Sequence, residues 1–98
     1  MDKQDILKYL KSNQTYFYDK FGIHFVGLFG SFSRDEANDE SDIDILYSLD
    51  KDRKLSLFKY LALTKQLEDY FSKKVDLVRD ETVKSSMKSY IDKDIIYA

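Results

Sequence analysis

The stretch Ser41-Asp42-Ile43-Asp44-Ile45-Leu46 alternates acidic and aliphatic side chains and then continues apolar to Leu49. That pattern predicts a half-buried strand, because a period of two sends Asp42 and Asp44 to one face and Ile43 and Ile45 to the other. The carboxylates converge by geometry alone. Upstream, the short aromatic and β-branched run Ile23-His24-Phe25-Val26-Gly27-Leu28-Phe29 reads as another strand that breaks at Gly30. The next residues, Gly30-Ser31-Phe32-Ser33-Arg34, predict a turn and a single helical turn capped by Ser31. Ser31 stands ten positions before Ser41, so a turn and an acidic strand are joined by one short connector.

The rest of the chain supplies a layout of α-β-(short α)-β-α-β-α. Ile6, Leu10, Phe17 and Phe21 recur at helical spacing from Asp5 to Phe21, and Gly22 suits a left-handed helix end. Lys54 to Ser72 is the clearest helix, with Leu57, Phe58, Leu61, Leu63, Leu67, Tyr70 and Phe71 forming a broad stripe expected to cover the sheet. Lys74 to Arg79 reads as a third strand in which Val75 and Leu77 point one way and Asp76 and Val78 the other. A last helix is expected from Glu81, with Asp80 as its cap. At 98 residues, with no proline and no low-complexity tract, residues 1–98 are expected to form a single domain.

Phosphate and metal chemistry fit this arrangement. A nucleoside triphosphate carries about four negative charges, and its transfer is governed by positioning and electrostatic stabilisation. Backbone amides at a turn offer donors, and glycine at position 30 lets the backbone approach a phosphate closely. Mg2+ favours one or two carboxylates with phosphates and waters, so Asp42 and Asp44 are expected as shared ligands. If the third strand lies beside the second, Asp76 stands where a base or a further metal ligand activates an acceptor hydroxyl. A lone Gly-Ser or a lone Asp-x-Asp is common; the joint arrangement is much more specific.

These residues carry a resemblance. Gly30-Ser31-Phe32-Ser33-Arg34, Ser41-Asp42-Ile43-Asp44-Ile45 and Val75-Asp76-Leu77-Val78 together resemble the signature of the polymerase-beta-type nucleotidyltransferases, and the short chain is similar to their minimal (MNT) branch. The resemblance implies an α/β (α+β) fold with a small mixed three-stranded sheet flanked by helices. It implies that Gly30, Ser31 and Arg34 contact nucleotide phosphates, and that Asp42, Asp44 and Asp76 take metal and catalytic roles. Many relatives carry glycine directly after the arginine, whereas this chain carries Asp35. Many MNT proteins act as antitoxins of a HEPN ribonuclease, some by transferring AMP from ATP to a toxin tyrosine. The expected cofactor is therefore Mg2+, the donor ATP and the partner a HEPN toxin.

Composition narrows the alternatives. With 16 basic against 18 acidic side chains there is no global basic field, so nucleic acid is not an expected direct ligand. No cysteine is present, which excludes disulfides and thiolate catalysis. The charged opening Met1-Asp2-Lys3-Gln4-Asp5 and the lack of a long apolar run predict neither a secretory signal nor an anchor, making the cytoplasm the expected location. Six of the ten residues from Asp35 to Asp44 are acidic, and Asp35, Glu36, Asp39 and Glu40 read as a solvated loop. His24, Lys73, Tyr90 and Tyr97 read as structural. Two further functions stand beside toxin adenylylation: an antitoxin acting by stoichiometric binding, and a nucleotidyltransferase for a small molecule, which the lack of a second domain disfavours.

Overall fold

The computed structural model describes residues 1–98. Helix α1 (Lys3–Ser12) starts in a reciprocal capping box, in which Asp5 N–H donates to Asp2 Oδ1 at 3.0 Å and Asp2 N–H donates to Asp5 Oδ2 at 3.1 Å. The single helix expected from Asp5 to Phe21 is instead two, because Asn13 leaves helical geometry (φ −114°, ψ 12°) and its side-chain amide donates to the Tyr9 carbonyl at 2.8 Å. Asn13 N–H also donates to the Tyr9 carbonyl at 3.1 Å, so the side-chain bond adds to a backbone one at the break. Helix α2 (Gln14–Phe21) ends at Gly22, whose φ of 74° is the left-handed cap the sequence indicates.

Four strands follow in the spatial order β3-β2-β1-β4. Strand β1 (Ile23–Phe29) runs antiparallel to β2 (Ile43–Leu49), and β2 runs parallel to β3 (Val75–Arg79), the crossover being helix α3 (Leu57–Phe71). The sheet was expected to have three strands. The fourth, β4 (Ile96–Tyr97), pairs antiparallel with Gly27 and Leu28 of β1 and is too short for any periodicity to announce it. Where β4 no longer reaches, the Gln14 side chain satisfies β1: it accepts from Phe25 N–H at 2.9 Å and donates to the Phe25 carbonyl at 2.7 Å. Between Phe25 and Gly27 the β1–β2 register shifts, leaving Val26 as an extra residue.

One face of the sheet is sealed. Phe25, Leu28, Ile43, Ile45, Val75 and Leu77 pack against Ile6, Leu10 and Phe17 from α1 and α2, and against Leu63, Leu67 and Phe71 from α3. Phe17 meets Phe25 edge to face at 5.0 Å. The broad stripe expected on α3 divides: Leu63, Leu67 and Phe71 are buried, whereas Leu57, Phe58, Leu61 and Tyr70 are exposed, because the sheet is narrower than the stripe. The expected Asp80 helix cap instead opens a 3-10 turn (Asp80–Thr82), and α4 (Ser85–Asp94) starts at Ser85 and buries only Ile91. No helix is long and apolar enough to cross a membrane.

Candidate active site

The alternation in β2 is realised as the pattern requires. Ile43 and Ile45 are fully buried, while Asp44 is half-buried on the opposite face and Asp42 is exposed one residue before the strand. In the parallel pairing Asp44 stands opposite Asp76, so two carboxylates occupy neighbouring strands about 5 Å apart. In the antiparallel pairing Asp44 stands opposite Phe29, the residue before Gly30. Gly30 itself has φ 80°, and a Cβ there would run into the Asp44 carboxylate. Turn and acid are thus in direct apposition.

The segment after Gly30 is a turn, not the short helix expected. Arg34 N–H reaches the Gly30 carbonyl at 3.2 Å and Glu36 N–H the Ser31 carbonyl at 2.9 Å. Ser33, a buried residue the sequence reading passed over, anchors the turn by donating to the Gly30 carbonyl at 2.8 Å; Ser31 caps no helix. Asp35, standing where many relatives carry glycine, adopts φ 59°, the left-handed conformation that favours glycine, and pairs with Lys3 at 2.9 Å. The acidic loop beyond it is largely exposed, in keeping with a solvated connector.

Arg34 is not free. Its guanidinium meets Asp94 of α4 at 2.6 Å and Glu36 at 3.3 Å. Asp94 carried no signal in the sequence beyond its charge, since the contact spans 60 positions. By contrast Asp42, Asp44 and Asp76 take part in none of the chain's ion pairs, which use Asp35, Glu36, Asp69, Glu81 and Asp94. Burial, then the nearby charges of Asp76 and Asp42, push the Asp44 carboxyl up to about 6, with Arg34 partly offsetting them. Asp44 and Asp76, in register and in no ion pair, are oxygen donors of the kind a hard divalent cation takes. No three acidic or histidine side chains are spaced as a closed ligand cage, so phosphate oxygens and waters would complete the coordination. His24 is exposed on β1, while Lys73 donates to the Asp39 carbonyl at 3.1 Å.

Known proteins resemble this chain in sequence and fold. The protein adenylyltransferase MntA of Thermococcus cleftensis is 32% identical over 94 residues, 96% of this chain and 93% of the relative. A crystal structure of a toxin-antitoxin with AMP-PNP superposes with TM-score 0.70 at 22% identity, covering 99% of this chain and 72% of the other. A tri-AMPylated Shewanella oneidensis HEPN toxin in complex with MNT antitoxin gives TM-score 0.57 at 18% identity, over 90% of this chain and 70% of the other. These structures share the fold. The family described as Polymerase beta, Nucleotidyltransferase matches residues 4–97, nearly every position from α1 to β4, and the chain belongs to that family.

Proposed function

We propose that residues 1–98 act as one nucleotidyltransferase unit that transfers AMP from ATP to a tyrosine hydroxyl of a HEPN toxin and so neutralises it in the cytoplasm. The observation that carries this reading is the apposition of Gly30 to Asp44 and of Asp44 to Asp76, with no cation paired to any of the three acids. The name of the Thermococcus relative, a protein adenylyltransferase, supports the choice of a protein acceptor.

In this reading the Gly30–Arg34 turn binds the triphosphate through backbone amides, Ser31 and Arg34. Arg34 exchanges its single charge-assisted contacts to Asp94 and Glu36 for phosphate oxygens. Asp42 and Asp44, with Asp76 bordering them, would hold Mg2+, which would supply neutralisation of phosphate charge and polarisation of the phosphoryl oxygens. The acceptor oxygen bonds to the α-phosphorus, the bond from that phosphorus to the pyrophosphate oxygen breaks, and Asp76 takes the hydroxyl proton.

A second reading, neutralisation by binding alone, is favoured by the exposed Leu57, Phe58 and Leu61, which suit a protein contact without any chemistry. One experiment separates the two. Wild-type protein incubated with labelled ATP, Mg2+ and its HEPN partner is expected to label the partner, and the double variant Asp42→Asn, Asp44→Asn to lose about 10³-fold or more of that rate. Undiminished labelling by the variant sinks the enzymatic reading. A variant that labels nothing and still protects cells from the toxin establishes binding as the operative mechanism.

A further inference from the structure

A cleft of about 290 Å³ opens beside Asp76, walled by Phe29, Val78, Val83, Met87 and Ile91, with Thr82 and Lys84 completing its lining. Three separate pieces of chain make it: the residue that leads into the Gly30 turn, the acid-bearing face of β3, and the inner side of α4 with its preceding loop. Of the three acids only Asp76 lines the cleft, and Phe29 is the residue that precedes the turn. Its wall is mostly apolar, yet Asp76 at its edge forms no ion pair within the chain. Such a surface matches a ligand with an apolar body and one polar tip.

We propose that this cleft seats the phenol ring of the acceptor tyrosine, with its hydroxyl directed at Asp76; the assignment rests on the nucleotide-transfer reading above. A serine or threonine has no body to fill such a space, and its hydroxyl would reach Asp76 with the apolar walls still wet. Tyrosine buries its ring against Val83 and Met87 while its oxygen stays at the carboxylate. A nucleobase is the other flat ring at such a site. Its ribose separates it from the α-phosphorus, however, and its ring nitrogens present lone pairs to Asp76 where the phenol presents a proton. In the transfer step the tyrosine oxygen bonds to the α-phosphorus of the nucleoside triphosphate, pyrophosphate leaves with the electrons of the broken bond, and the phenolic proton passes to Asp76.

The chain has two methionines, Met1 and Met87, so its methyl spectrum contains a reporter inside the cleft and a control outside it. Titrating the full chain with N-acetyltyrosinamide, without nucleotide, is expected to shift the Met87 and Val83 methyl signals saturably and to leave Met1 in place. Shifts that are absent, or equal at Met1 and Met87, overturn the assignment whether or not the protein transfers AMP. A stronger Met87 response to adenosine than to N-acetyltyrosinamide overturns it in favour of a nucleobase site. Met87 is 56% exposed, so Met87→Trp is accommodated without disturbing the core. In the transfer assay that variant is expected to raise the acceptor KM about 10- to 100-fold with the ATP KM unchanged. An unchanged acceptor KM, or a rise in the ATP KM alone, counts against the cleft as the acceptor site.

Discussion

The two faces of the sheet are made by the same strands and have opposite character. The face toward α1, α2 and α3 is closed by aliphatic and aromatic side chains, with Ile23, Phe25, Leu28, Ile43 and Ile45 wholly inaccessible. The other carries Asp44 and Asp76 in register and only the narrow cover of α4, whose single buried residue is Ile91. Leu46 and Ile91 are buried on that side yet lie outside the main core cluster. The difference shows how a chain of this size separates stability from chemistry. Each strand gives alternate residues to each task, and the half-buried Asp44 is tolerated because the opposite face holds the fold.

Perturbing each face separately tests that division, and the largest effect is expected from the sealed side. Phe25→Ala removes a ring packed against Phe17 and is expected to cost about 3–5 kcal/mol in urea unfolding. Transfer activity per folded molecule should be unchanged at temperatures where the variant remains native; a loss there would mean that the faces are coupled. Gly30→Ala sits between the two regions. Its positive φ and the collision with Asp44 predict a loss of about 1–3 kcal/mol, and the displaced carboxylate predicts a fall in transfer beyond what unfolding explains. Wild-type activity in a destabilised Gly30→Ala protein would dissociate the turn from the acid.

The smallest effect tests the open face by itself. Asp44 has its carboxyl raised to about 6 from the usual 3.8, so the folded protein binds the proton more tightly than the unfolded chain. The associated stability is full below about pH 4 and is lost as pH rises through 6. Asp44→Asn is therefore expected to be more stable than wild type at pH 7.5. Solvent screening at this half-exposed position reduces the gain to about 1 kcal/mol, or a rise in Tm of about 4–8 °C. The gap should close at pH 4; a gap that persists there would assign it to packing, not charge.

The sequence showed most of this division and missed its borders. Alternation in β2 and β3 placed Asp44 and Asp76 on one surface, with Asp42 just before β2, since strand periodicity is local and one face is buried. The Asn13 break was hidden because asparagine is compatible with both a helix and a cap, and only a side-chain bond to Tyr9 decides between them. Leu57, Phe58 and Leu61 looked like core because a helical stripe records how much apolar surface exists, not how much of it the sheet covers. Ser33 and Asp94 were missed for a common reason. A serine two residues from the obvious one, and an acid 60 positions from its arginine, acquire their roles only when the turn and α4 come together.

The extra residue in β1 has a consequence for parity. Phe25 and Leu28, three positions apart, pair with Tyr47 and Ile45 and so share the sealed side, which no uninterrupted strand permits. Val26 therefore acts like an inserted count that reverses odd and even for everything after it, turning Phe29 toward Asp44 and delivering Gly30 to the acids. Were all seven residues of β1 to pair as a regular ladder, with Val26 taken into the count, Leu28 and Phe29 would exchange destinations and the reactive side would be closed with the wrong side chain. In this molecule one unpaired residue decides which side chains of β1 meet the acids.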